Sequence, residues 1–561
     1  MKKKSPLTLA IAAVGLLVVG IHPTIAGTFT STQSGSWGSA STWGGAGVPG
    51  CGDTVIISAG TTVTENGTDC SSNLTINGTL DMANNFFNFQ GTTFTNNGAV
   101  ISSVGFGEFD FNGVGNAIGT TQNLAGTGTY NSNGRVDFHS RQFGAVVPAS
   151  GTVLNGLTNW NIDGGSTISL SHDFVVNGLT GAGAATTFTN GGAISGPAIM
   201  KTHNHVAINA CGTMTAPVEV VAGTTSANCN LGVVTVDSGA TLFETGTVNS
   251  NDLTILSGGT VDMNNQFYSF IGTTFTNNGA MISSGGFGEF DFNGVGNAIG
   301  TTQNLAGMGT YNTNGQINFH CRQSTNAVIG ISALVEGVFN HNIDGGSTLT
   351  NNGTMAPGFP PGQANVGGNW QLGSTSNLDF DIGGTISGTN YEVFNKTDGG
   401  ALTLHGNLVV HLINNFTPQN SDTFTIVTTQ AILQGAFSNV ANGGRLTTAD
   451  GGGSFQVTYN VLNNPVASRN VMLSNFLPSG GIVATPVIHP PSGPVIKKET
   501  IAITCATSGA SIYYTLDGST PTMSSKLYTN SFVITAPLTV KAKAFKNNVG
   551  SGVATNVYTK Q

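Results

Sequence analysis

From residue 106 to residue 111 the side chains alternate without a slip. Gly107, Phe109 and Phe111 fall on one side of an extended chain; Phe106, Glu108 and Asp110 fall on the other. A period of two is the mark of a strand with one buried face. Asn112-Gly113 follows, and both residues tolerate the positive φ of a tight turn. The same punctuation returns at Asn133-Gly134, Asn155-Gly156 and Asn177-Gly178, at nearly even intervals. Past the N-terminus no stretch of a dozen residues carries helical apolar spacing. Short strands recurring about every 20 residues predict an all-β parallel β-helix whose rungs stack at about 4.8 Å. Disorder is the alternative for a chain rich in Gly, Asn, Thr and Ser. Phe, Val, Ile and Leu at alternating positions argue against it, because they can fill a narrow core.

The pattern is written twice at long range. Residues 106–126, FGEFDFNGVGNAIGTTQNLAG, return letter for letter at 287–307, 181 positions later. GTTFTNNGA at 91–99 returns at 272–280, and NIDGGST at 161–167 returns at 342–348. Asn293-Gly294, Asn314-Gly315 and Glu336-Gly337 keep the short steps in the second copy. Two long repeats, about 71–165 and 252–346, therefore lie within a β-helix spanning 27–345.

Charge changes this picture at one place. Residues 27–485 hold 24 acidic and 7 basic side chains, whereas 486–561 hold seven lysines against Glu499 and Asp517. The acidic body excludes a nucleic-acid partner, which needs clustered cations. The basic tail reads as a separate domain. Six cysteines are present. Cys51 and Cys70 are 19 apart, Cys211 and Cys229 are 18 apart, and each pair precedes one long repeat. Two local disulfides, Cys51–Cys70 and Cys211–Cys229, are expected. Cys321 replaces Ser140 of the first copy and reads as non-structural; Cys505 reads as a buried free thiol. Residues 1–26 have the three parts of an export signal: Lys2 to Lys4, an apolar run from Leu7 to Ile21, and small residues before Gly27. Export to the cell surface or medium follows, with no transmembrane anchor after cleavage.

Three segments resemble known families. SGSWGSASTWGGAGVPGCGDTVIISAGTTVT at 34–64 resembles the opening of exported bacterial β-helix proteins. Trp37 and Trp43 would there cover the first rung, with a sugar-stacking platform as the other reading. Residues 346–480 carry GTMAPG at 353–358, Pro361-Gly362, LHGNL at 404–408, Phe416-Thr-Pro418, Asp422-Thr-Phe424 and Gly435-Ala-Phe437. The set resembles the distal passenger region of bacterial autotransporters and related adhesins, which implies a β-helix running into a β-rich cap. No strands of an outer-membrane barrel follow, so self-translocation is not implied. After a linker at 481–485, residues 486–561 carry PPSG at 490–493, IYYTLDGSTPT at 512–522, SKLY at 525–528 and VKAKA at 540–544. This resembles the chitobiase/β-hexosaminidase C-terminal domain, an Ig-like sandwich and accessory module without catalytic residues. Glycan contact is a role the resemblance allows, with Tyr513, Tyr514, Asp517 and Tyr528 as binding candidates.

The candidate chemistry lies in the repeats. Glu108/Asp110 and Glu289/Asp291 are paired carboxylates about 7 Å apart along a strand, a separation glycosidases use. Their duplication favours a solvated strand face over an active site. His139 with Arg141, and His320 with Arg322, occupy matched positions, which again favours structure. His203 and His205 could present two imidazoles on one strand face, but a zinc site needs a third ligand. Asp163 and Asp344 sit in Asp-Gly turns where calcium is conceivable, although the calcium nonapeptide of β-rolls is missing. No other cofactor is implied. The sequence thus favours a non-enzymatic exported stalk for adhesion or display, facing a glycan or cell-surface component. A polysaccharide-degrading glycosidase or lyase is the alternative.

Overall fold

The computed structural model describes residues 26–560 apart from 131–133, 181–184, 190, 210–211, 312–315, 323–324, 358–360, 431–432, 464–467, 480–482, 496–497, 536 and 547–548. Residues 1–25 of the expected export signal, Asn133, Cys211 and Asn314-Gly315 lie outside the described residues. Every regular element among those described is a strand, save two single-turn 3₁₀ segments at Val114–Asn116 and Val295–Asn297. No described helix is long and apolar enough to cross a membrane. The chain divides into two compact units, residues 1–174 with 189–193, and 175–188 with 194–561.

In unit one the chain coils through three columns of parallel strands. One column runs Thr28–Thr30, Thr54–Ile57, Leu74–Ile76, Thr93–Asn96, Thr121–Ala125, Ala145–Pro148 and Thr167–Ser169. The column that matters for the site contains Phe86–Phe89, then β1 (Phe106–Phe111), β2 (Arg135–Ser140) and β3 (Asn159–Ile162). Alternation does what it predicts: Phe109 and Phe111 are buried, as are Phe87, Phe138 and Trp160 of the neighbouring rungs. Their rings form a continuous stack, with Phe87–Phe109 at 5.1 Å, Phe94–Phe109 at 4.4 Å and Phe111–Trp160 at 6.0 Å. Buried aromatic pairs of this kind add about 0.5–1.5 kcal/mol each beyond area burial.

Rung length is less uniform than the Asn-Gly spacing suggests. Phe87 lies opposite Phe109, Phe109 opposite Phe138, and Phe138 opposite Trp160. The middle rung is longer because residues 112–120 leave the coil as a loop. Gln122, buried, holds that loop: its Oε1 accepts from Gly113 N at 2.8 Å, and its Nε2 donates to Phe89 O and Gly91 O. Gly126 must be glycine, since its φ is +96° and a Cβ would meet Asn96 O at 2.0 Å. Gln303 and Gly307 repeat these bonds and this approach. The letter-for-letter repeat thus spans one strand, one anchored loop and the next strand. Trp37 and Trp43 are buried edge to face at 5.2 Å, with Trp37 against Phe87, so neither offers a stacking platform. Cys51 and Cys70 form the expected disulfide, with Cα atoms 4.6 Å apart.

Unit two repeats the coil. Its site column contains Phe267–Phe270, β4 (Phe287–Phe292), β5 (Gln316–Cys321) and β6 (Asn340–Ile343). It continues through Gln363–Val366 and Val393–Lys396 to Phe424–Thr429. There the direction changes: Ser468–Pro478 joins antiparallel, followed by Gly453–Asn463 and Arg445–Thr447. This antiparallel layer closes the open end of the coil, which an unpaired parallel edge requires. Beyond it lies the Ig-like tail. A three-stranded sheet (Val487–His489, Glu499–Thr504, Phe532–Ile534) faces a second sheet containing Ser511–Thr515, Leu538–Lys546 and Ala554–Lys560. Ile501, Ile512, Tyr514, Val540 and Tyr558 fill the space between. Cys505 is a free thiol as expected, but it is half-buried rather than buried, and its Sγ donates to Ala484 O; Cys321 is likewise free, and it is fully buried in the core of the coil.

Candidate functional site

Parallel register brings together side chains that the sequence keeps on separate turns of the coil. Asp110 of β1 lies opposite His139 of β2, which lies opposite Asn161 of β3. Glu108 and Asp110 share the outward face of β1, and His139 and Arg141 continue that face one rung on. Asp163 enters from the turn after β3, its backbone N bonded to Ser140 O at 3.0 Å. The result is a five-residue network across three rungs. His139 Nδ1 lies 3.3 Å from Glu108 Oε1, and its Nε2 lies 2.7 Å from Asp163 Oδ1. Arg141 donates from Nη2 to Glu108 Oε1 at 2.6 Å and from Nε to Asp110 Oδ1 at 3.0 Å. The side chains of Glu108, Asp110 and His139 are only 12–13% exposed.

The second copy builds the same object. His320 Nδ1 is 3.1 Å from Glu289 Oε1 and Nε2 is 2.8 Å from Asp344 Oδ1. Arg322 reaches Glu289 Oε1 at 2.6 Å and Asp291 Oδ1 at 2.9 Å. The sequence singles out all ten residues, but as three separate features; register joins them.

Electrostatics follow from the contacts. The hydrogen bond to His139 holds Glu108 down to about 2, against the opposing cost of burial. Burial pushes Asp110 and Asp291 up to about 6, although an arginine faces each. Burial works against charge on His139, yet the carboxylates of Glu108 and Asp163 raise it above the ordinary histidine value. The bond to Glu289 does the same for His320. Both ring nitrogens face carboxylate oxygens, which favours the protonated ring, and in that form the imidazolium donates twice and has no lone pair for a proton or a metal. Glu108, Asp110 and His139 offer ligand atoms within 4.8 Å of one another, as do Glu289, Asp291 and His320. The guanidinium of Arg141 or Arg322 already occupies both carboxylates, so these donors do not fit a cation such as calcium. Asp163 and Asp344, the turn acids considered for calcium, are spent on the histidines.

Other candidates separate. The strand ends at His203, Asn204 has a φ of +60°, and His205 faces Leu179 O at 3.4 Å. The left-handed residue breaks the alternation, so the two imidazoles do not share a strand face. Cys229 is described, but its expected partner is not. In the tail, Tyr514 is a core residue, its ring stacked on Phe532 at 4.5 Å. Tyr528 packs beside it, half-buried. Tyr513 is half-buried against Phe545, and the exposed Asp517 accepts from Ser519 N and Oγ to close its turn. Of the four binding candidates, Tyr513 and Asp517 keep solvent-facing atoms away from the core cluster.

Two buried acids escape sequence reasoning. Glu65 and Glu244 occupy matched places before the two repeats (ENGT and ETGT) and are at most 2% exposed. Burial raises both well above the carboxylate range. Only comparison of the two copies could have flagged them.

Among known families, the chitobiase/β-hexosaminidase C-terminal domain matches residues 490–559. Comparison with curated proteins and with solved structures returned no match.

Proposed function

We propose that the chain is an exported, non-enzymatic bacterial surface or extracellular protein. Its autotransporter-like β-helix serves as a stalk for adhesion or display, and its tail contacts carbohydrate. The observation that carries this reading is the closure of both ionic networks. Each imidazole faces a carboxylate at both nitrogens, and each arginine pairs with two carboxylates on the flank of the coil, although in the second copy Arg322 Nε and Asp291 Oδ1 meet as an ion pair at 2.9 Å without a hydrogen bond. A general base or nucleophile needs a free lone pair within reach of substrate. These groups tie three rungs together instead. The carbohydrate part rests on the tail's family, whose name joins it to hexosamine-cleaving enzymes.

The separation of Glu108 (about 2) from Asp110 (about 6) favours one second reading, a glycosidase with Asp110 as acid and Glu108 as the ionised partner. Incubating the full chain with uronate and hexosamine polymers decides between them. The stalk reading expects no turnover. Turnover that disappears in Glu108→Gln or Glu289→Gln establishes the glycosidase. A glycan array probed with the full chain, and with Tyr513→Ala, tests the tail; silence across the array removes the carbohydrate role.

A further inference from the structure

A third group of acids, in unit two, has none of this closure. Strands Leu334–Glu336, Thr354–Ala356, Asn377–Ile382 and Asn407–Leu412 lie side by side in parallel. Glu336 stands opposite Ala356, and Asp381 opposite His411. The small side chain of Ala356 leaves a hollow of about 300 Å³, lined by Glu336, Asp379, Asp381, Glu392 and His411. Among the described residues no Lys or Arg lines it. Within it His411 Nε2 lies 3.3 Å from Asp379 Oδ1.

Glu392 is the telling member. It is 1% exposed, and its backbone N donates to Asp381 O at 3.0 Å. Glu392 is among the residues that line the hollow; its Oε2 accepts from Asp381 N at 3.0 Å, while its buried Oε1 has no hydrogen-bond partner. A buried carboxyl oxygen without a donor is destabilising, the more so if charged. Burial drives Glu392 up to about 9, and burial with mutual repulsion raises Glu336 and Asp381 as well. The hollow is thus short of positive charge and of hydrogen-bond donors.

We propose that this hollow binds a protonated primary amine on a short apolar stem. The ammonium brings three donors and one positive charge to the oxygens of these acids, and its charge favours ionisation of the ones that burial keeps protonated. Leu334, Leu412 and Ile413 complete the lining and suit methylene groups, as the stem of a lysine does elsewhere. A bare metal ion fits less well. Among the described residues, no three ligand atoms of this group lie within 4.8 Å of one another, as they do in the two networks above, and a compact ion needs converging oxygens. The hollow's volume, about 300 Å³, is at the small end of ligand sites. Two sources carry this chemistry, a free linear diamine and the lysine side chain of a partner protein.

Isothermal titration of the full chain tests the proposal, with 1,5-diaminopentane, Nα-acetyl-lysine amide and calcium chloride as separate titrants. Saturable one-site binding of an amine is expected, at least tenfold weaker in Glu392→Gln and in Asp379→Asn. Glu392→Gln keeps an oxygen for Asp381 N, and thermal melts of each variant verify the fold. Binding of both amines identifies a lysine-bearing partner as source; binding of the diamine alone identifies a free polyamine. Amine binding unchanged in both variants, calcium binding without amine binding, or no binding at all overturns the proposal. None of these outcomes bears on glycan capture by the tail.

Discussion

The two ionic networks agree in their closest contacts to a few tenths of an ångström, but the residues around them do not. In the first copy Arg135 pairs with the buried Asp137 at 2.7 Å; in the second, Gln316 donates to Asn318 Oδ1 at 3.1 Å. In the first copy Trp160 Nε1 donates to Ser140 Oγ at 2.9 Å. In the second, Cys321 and His341 occupy those positions, and neither nitrogen of the buried His341 ring has a hydrogen-bond partner. The flanks have changed in pairs, charge with charge and core with core. Glu, Asp, His, Arg and the turn Asp have not changed at all. A network kept whole while its neighbours are exchanged is a unit of its own, and its unit of action is the stack of three rungs.

The largest expected effect comes from moving one copy's core into the other. Trp160→His should destabilise unit one by about 3 kcal/mol, the range for removing a buried indole, and Ser140→Cys should not restore it. Urea unfolding measures this. Acid should separate the copies next. Burial holds His341 down to about 3, so the unfolded chain binds a proton that the folded one refuses between about 6.5 and 3. Stability of the second copy therefore falls as pH drops below about 6.5, by up to about 1.4 kcal/mol per unit for this group. Hydrogen exchange of β5 and β6 against β2 and β3 at pH 7 and pH 5 should show the second copy loosening and the first holding.

The histidines of the networks have the opposite sign. His139 and His320 are raised, so their contribution is complete below the unfolded value near 6.5 and is lost as pH rises through the folded value. His139→Gln with His320→Gln should cost about 1–2 kcal/mol at pH 5.5 and less at pH 8.5. The smallest effect belongs to the exchanged ion pair. Arg135 is 57% exposed, so Arg135→Gln with Asp137→Asn, which writes the second copy's pair into the first, should stay within about 0.5 kcal/mol of the parent. Arg135→Gln alone should cost more, because Asp137 is 2% exposed and loses its partner.

Much of this architecture is legible in the chain. FGEFDF alternates, Asn-Gly closes it, and the disulfide of Cys51 with Cys70 follows from their placement before the repeat. The members of the network are legible too, one at a time. Their meeting is not, because it depends on a rung lengthened by the loop at 112–120, and a uniform rung length puts His139 opposite nothing in particular. The amine-sized hollow is less legible still. Asp379 and Asp381 alternate on an ordinary strand, but Glu392 arrives from a separate segment, and only burial reveals that its Oε1 lacks a donor. Glu65 and Glu244 carry no signal of their own in the sequence, and only the closed coil shows that they are buried.

The central claim is that each network holds three rungs together. A double-mutant cycle on His139→Gln and Asp163→Asn, read by urea unfolding of the full chain, tests it most directly. The two rungs these residues join are linked through that bond, so the expected result is a coupling energy of about 1 kcal/mol between the two changes. A coupling indistinguishable from zero would contradict the claim and leave the five residues free for chemistry.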